Sequence, residues 1–178
     1  MNLNKIVILA VIFLLLGVYV YIFETGSAKV DEVVTDKVEK ALDFNVEEVL
    51  EVRIKKEGQI VLLKLLNGQW RIVKPVDAGV VNEKVHDLLT FFDCGIVRVI
   101  EANGSNFKLY GLENSRYEFG VKTRGDNTFQ TLLIGEDAPG NLSCYARVKG
   151  QEKVVLLGVR YRQEFDSAFT EFSQTVGP

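Results

Sequence analysis

Residues 50–73, LEVRIKKEGQIVLLKLLNGQWRIV, decide the fold. Leu50, Val52 and Ile54 alternate with Glu51, Arg53 and Lys55, the two-residue period of a strand with one buried and one wet face. Glu57-Gly58 turns the chain into a second, more apolar strand, Ile60 to Leu66. Asn67-Gly68 follows; both residue types tolerate positive φ, which makes this dipeptide a strong hairpin signal. Gln69 to Val73, with Trp70 inside it, completes a three-strand meander. Pro75 then ends the sheet, because proline has no N–H to donate to a ladder.

Working toward the C-terminus, Val81, Val85, Leu88, Leu89 and Phe92 form one helical stripe, with Asn82 as the expected N-cap and Gly95 as the expected stop. Ile96 to Glu101 reads as a strand, and Ala102 to Asn114 as irregular chain with a short helical turn. The theme then recurs. Tyr117, Phe119 and Val121 alternate with polar neighbours, Gly125-Asp126-Asn127 turns, and Thr128 to Ile134 returns. After a loop over Gly135 to Asn141, Leu142, Cys144, Ala146 and Val148 define one strand face, and Val154 to Leu157 another strand. Tyr161, Phe165, Phe169 and Phe172 stripe a last helix. Strands in succession followed by a helix, twice over, predict an α+β fold with antiparallel sheets and helices on one face. The repetition is architectural, without a residue-by-residue match between the halves.

Working toward the N-terminus, Ile6 to Phe23 carries no charged residue and is bracketed by Lys5 and Glu24. As a helix it would run roughly 27 Å, against the roughly 30 Å hydrocarbon core of a bilayer. It is longer than a secretory h-region and ends in Tyr19, Tyr21 and Phe23, rings suited to a membrane interface. The expectation is a single-pass signal anchor in the inner (cytoplasmic) membrane. Lys5 abuts the run on the N-terminal side, whereas Lys29 stands several residues beyond it, which orients the domain to the extracytoplasmic side. Small residues at Gly26-Ser27-Ala28 leave cleavage as the competing reading. Val30, Val34 and Val38 recur every four residues among charges, as in a short amphipathic stalk. The expected organisation is therefore a tail and anchor over 1–23, a stalk over 24–44, an α+β domain over 45–172 with possible halves 45–101 and 102–172, and a tail over 173–178.

Composition narrows the function. The chain has 178 residues, a net charge of −3 and 25% charged residues of mixed sign, with no basic block to grip nucleic acid. Two cysteines are too few for a disulfide-built scaffold and wrongly spaced for a zinc site. No G-x-S-x-G, phosphate-binding glycine loop or H-E-x-x-H occurs.

An ordered set of markers carries a resemblance. They are Phe44-Asn45-x-Glu47-Glu48-Val49, Gly68-x-Trp70-x-Ile72, Pro75-Val76-Asp77-Ala78, Val85-x-x-Leu88-Leu89, Tyr110-Gly111-Leu112, Leu133-Ile134-Gly135 and Tyr145-Ala146-Arg147-Val148. Together they resemble the bacterial domain-of-unknown-function family numbered forty-three-forty, from about residue 42 onward. The resemblance implies a membrane-bound accessory to an ABC-type transport system, since such proteins tend to be encoded beside ABC-type permeases and gliding-motility-like auxiliary proteins. It supplies no catalytic residues, because none is established for the family, and no cofactor is expected.

The residues that could carry chemistry have plainer readings beside them. His86, the single histidine, has no partner by spacing and reads as a surface position. Cys144 shares a strand face with apolar residues and reads as core, Cys94 as a helix-end residue; a disulfide between them stays open. Glu136-Asp137 and Asp126-Asn127 read as turn residues, and Trp70 and the aromatic stripe of the last helix as core. No catalytic, cofactor-binding or metal-binding residue is assigned. The expected function is a non-catalytic interaction subunit of an ABC-type transport or envelope system. Its partners would be the bilayer, through Ile6 to Phe23, and a permease or other envelope protein, with no nucleic acid. The alternatives are an envelope enzyme acting on cell-wall or lipid substrate, or a small-molecule-binding module serving a transporter.

Overall fold

The structure is a computed structural model that describes residues 12–16, 18–19, 40–93, 95–96, 98–100 and 104–174. The chain divides into two units, residues 1–37 and 38–178. In the first, residues 12–16 and 18–19 are helical; the rest of the expected anchor, and residues 24–39 of the expected stalk, lie outside the described residues. Among the described residues no helix is long and apolar enough to cross a membrane.

The second unit is α+β. It is built on one nine-stranded antiparallel sheet: β1 (Val49–Lys56), β2 (Gln59–Leu66), β3 (Gln69–Lys74), β4 (Ala78–Gly79), β5 (Arg98–Ile100), β6 (Tyr117–Thr123), β7 (Gln130–Asp137), β8 (Ser143–Val148) and β9 (Val154–Gly158). The strand order is β4-β3-β2-β1-β6-β7-β8-β9-β5. The two meanders are thus halves of a single sheet. They meet where the first strand of each pairs, β1 against β6, with Val52 opposite Val121 and Ile54 opposite Phe119. From that junction each meander runs outward, and β5 closes the far edge against β9.

The hairpins follow their turn chemistry. Glu57 and Gly58 (φ 49° and 89°) and Asn67 and Gly68 (φ 52° and 78°) take the paired positive φ values that match the right-handed twist of the strands they join. The Lys74–Pro75 peptide is cis, where β3 ends. β7 runs three residues past the expected end at Ile134, through an irregularity between Ile134 and Asp137, so Glu136 and Asp137 lie in a strand rather than a loop.

Both α-helices, α1 (Asn82–Phe92) and α2 (Arg160–Gln174), cover one face. Val85, Leu88, Leu89 and Phe92 of α1, and Tyr161, Phe165, Phe169 and Phe172 of α2, are buried. They meet Val52, Ile54, Leu63, Phe119 and Leu132 from the sheet. Phe92 stacks on Phe119 with ring centroids 3.8 Å apart, and Tyr117 meets Phe165 edge-on. Burying each such ring contributes about 1.5–3 kcal/mol. Residues 40–44, placed in the stalk by sequence, join this layer: Leu42 and Phe44 are core.

Two capping expectations change. The N-cap position of α1 is Val81, which is exposed and makes no side-chain cap, and the helix ends at Phe92 with Asp93 as its C-cap, whose N–H bonds Leu89 O, before Gly95. Asn82 works elsewhere. Its side-chain oxygen accepts from Trp70 N at 2.8 Å and its amide donates to Gly68 O at 3.0 Å, clamping the β2–β3 hairpin to the start of the helix.

Candidate functional site

Opposite the helices, the face of β3, β2, β1 and β6 is uncovered by either α-helix. The period of two puts every second side chain there, and pairing aligns them in rows. One row runs Arg71, Lys64, Glu51, Lys122; the next runs Lys74, Leu62, Arg53, Gly120, Thr131; the third runs Ile60, Lys55, Glu118, Leu133, Arg147. Glu51 lies between Lys64 (3.3 Å) and Lys122 (3.9 Å), and Lys55 donates to Glu118 at 2.6 Å. Arg71 pairs with Asp77 of the β3–β4 loop at 2.9 Å. Arg53 donates to the Thr131 hydroxyl at 3.1 Å and lies 4.4 Å over the Phe129 ring. Its Nε, like that of Arg147 stacked 3.9 Å over Phe107, is buried without a hydrogen-bond partner, and the aromatic faces take up the guanidinium planes instead.

Further along the same face a 3-10 segment, Gly104–Tyr110, covers Leu112, Leu133 and Val154, with Tyr110 against Tyr145 at 4.7 Å. Here two of the marker motifs cross. A Cβ on Gly135 would sit 2.0 Å from the Tyr110 carbonyl oxygen, and one on Gly111 (φ +67°) would sit 2.7 Å from Glu136 Cγ. Only glycine lets Tyr110-Gly111-Leu112 lie this close to Ile134-Gly135-Glu136. From the helix side Arg162 donates to the Gly135 carbonyl, stands 3.5 Å from Asp137, and lies 5.1 Å over the Tyr117 ring.

Open clefts of about 180 to 270 Å³ mark the described surface. One lies at the glycine crossing, lined by Lys108, Glu113, Asn114, Arg116 and Glu136. Another lies on the uncovered face beside Lys55, Glu118 and Arg147. These volumes fall below the roughly 300–1,000 Å³ of small-molecule sites.

His86 is exposed on α1. Cys144 is a free, fully buried thiol, and burial pushes its pKa up to about 11, so it is protonated and inert at neutral pH. Cys94 lies outside the described residues. Asp126 accepts from the Thr123 hydroxyl at 2.6 Å and the Thr123 amide at 3.1 Å, which hold its carboxyl below the usual carboxylate range while closing the β6–β7 turn. Trp70 is core; Leu142, expected on a core face, is exposed. Among the described residues no group of three or more His, Cys, Asp or Glu could hold a metal ion. The structure thus brings none of these candidates together.

The cationic face was missed by a linear reading, because its members sit one per strand position between apolar residues. The available signal was the outward-facing set of each strand, Arg53 and Lys55, Lys64, and Arg71, folded together across the Asn67-Gly68 hairpin.

The fold and face define an antiparallel-sheet α+β domain with a helix-covered side and a charged side. The chain belongs to the family described as Domain of unknown function (DUF4340), whose model matches residues 70–176. No curated protein matches the chain, and no solved structure does.

Proposed function

We propose that this chain is a membrane-anchored, non-catalytic accessory subunit of an ABC-type transport or envelope system, held by Ile6 to Phe23 with its domain on the extracytoplasmic side. The observation that carries the reading is the run itself. Where described it is helical, and its side chains are exposed along consecutive positions, Phe13 by 80% and Leu14 by 69%. A run of eighteen residues without a charge, helical where described, is suited to lipid rather than water. Clefts too small for a typical small-molecule ligand support an interaction role over a carrier module. The permease as neighbour is what the resemblance carried by the sequence markers implies.

Two measurements test the reading. The full chain is expected to stay with the membrane pellet after alkaline carbonate washing; release into the soluble fraction, trimmed near Ala28, would remove the anchor. Cross-linking in native membranes followed by purification through a C-terminal tag is expected to recover an ABC-type permease. Recovery of the chain alone would overturn the accessory role.

A further inference from the structure

We infer that the uncovered face of β3, β2, β1 and β6 is a docking surface for anionic phospholipid headgroups. The inference rests on the anchor reading above. On those four strands the face presents six cations, Arg53, Lys55, Lys64, Arg71, Lys74 and Lys122, against two anions, Glu51 and Glu118. The whole chain is net negative by three charges, so the fold segregates positive charge onto this side. Glu51 and Glu118 are each engaged by lysines, and Asp77 from the adjoining loop by Arg71; the remaining surplus has no internal counter-charge on these strands.

Between the cations stand apolar side chains open to solvent. Ile60 and Leu66 are exposed, and Leu62 is half-buried between Lys74 and Arg53 in its row. Cations interleaved with aliphatic groups suit the headgroup region, where phosphates meet the former and the upper acyl chains the latter. An acidic protein surface would satisfy the same charges. Lipid is favoured by the tether: residues 24–39, between the anchor and the first described residue of the domain, span at most about 55 Å even when fully extended. A tether of that length keeps headgroups at a high effective concentration around the domain that carries this face.

The test uses the full chain reconstituted in nanodiscs of phosphatidylcholine alone, or of phosphatidylcholine with about one-third phosphatidylglycerol. Acylation of individual lysines is followed by mass spectrometry. Lys64, Lys74 and Lys122 are expected to react at least about fivefold more slowly in the anionic discs, and high salt should abolish the difference. Lys84, on α1 and the opposite side of the sheet, should react alike in both. The doubly substituted chain Arg71→Glu, Lys74→Glu should keep its Trp70 emission while Lys122 returns to the rate seen in neutral discs. Equal rates in the two disc types overturn the inference. So does protection in native membranes without protection in anionic discs, which would assign the face to a protein. Failure of the chain to remain with the discs before any labelling overturns the anchor, and is recognised separately from either result.

Discussion

Gly135 shows what a single residue contributes when two chain segments cross. Its missing side chain leaves room for the Tyr110 carbonyl, which a Cβ would approach to 2.0 Å. Gly135→Ala must move either β7 or the Tyr110-Gly111-Leu112 segment. The expected cost is about 2–3 kcal/mol, as for over-packed cores, read as a drop in the urea midpoint with unchanged slope. Cys144 acts through its proton. Its pKa is raised from 9.0 to about 11, chiefly by burial, so the folded state holds the proton more tightly than the unfolded state. Its contribution is complete below pH 9 and is lost as pH rises toward 11, amounting to about 3 kcal/mol. Urea unfolding at pH 8 and pH 10.5 should therefore show a larger alkaline loss for the natural chain than for Cys144→Ala. Residue-level reading succeeded where alternation was regular: Cys144 and Ala146 are in the core as the strand period predicts. It failed at Leu142, which lies one residue before β8 begins, where the alternation has no sheet to face.

At the scale of elements, helix starts depend on neighbours as much as on local chemistry. Asn82 has the residue type of an N-cap, yet it lies inside α1 and spends its amide on Trp70 N and Gly68 O. A local motif lost to a tertiary one because the hairpin end offers two backbone groups within reach of one side chain. Asn82→Ala is expected to cost about 1–2 kcal/mol and to speed exchange of the Trp70 amide, with little change at the other end of α1. The last helix is tied differently. Lys56 of β1 donates to Asp166 of α2 at 2.7 Å, and this hydrogen bond is the main reason the lysine pKa is raised. The pair is part-exposed, so Asp166→Asn should cost less than about 1 kcal/mol by thermal unfolding. The extension of β7 past Ile134 was hidden from sequence because Glu136, Asp137 and Pro139-Gly140 resemble a polar turn. Arg162 and the β8 ladder hold that segment as strand.

For the whole molecule the pairing of β1 with β6 matters most, because it turns two meanders into one sheet. Neither half keeps its core when separated: α2 packs on β1 and β2 of the first meander, and Phe92 of α1 stacks on Phe119 of the second. Unfolding in urea is therefore expected to be a single transition. Trp70 fluorescence, which reports the first meander, should coincide with far-ultraviolet dichroism, which reports both; separated transitions would show that the halves are independent. Ile54→Ala at the junction should cost about 2–5 kcal/mol and lower both signals together.

The residues that carry the family resemblance have a common character in this architecture. Phe44, Trp70, Ile72, Leu88 and Leu89 are core, Asn45 caps the turn ahead of β1, Gly68 turns a hairpin, and Gly111 and Gly135 permit the crossing. They specify a scaffold.

The amino-acid sequence by itself determined the longer strands, the hairpins, the apolar helix stripes and the uncharged N-terminal run, but neither the end of β7 nor the short β4 that pairs with β3 beyond Pro75, where the sequence predicts the sheet to stop. Each of these is written in neighbours a few residues apart, through backbone preference and the periods of 2 and 3.6. Only the tertiary structure decided that the two meanders share one sheet, that Asn82 serves a hairpin, and that six cations collect on one face. Those outcomes depend on pairings between residues tens of positions apart, such as Glu51 with Lys122 and Arg53 with Gly120. Local propensity carries no record of which strand edge will meet which; burial of both meanders against the same two helices selects it.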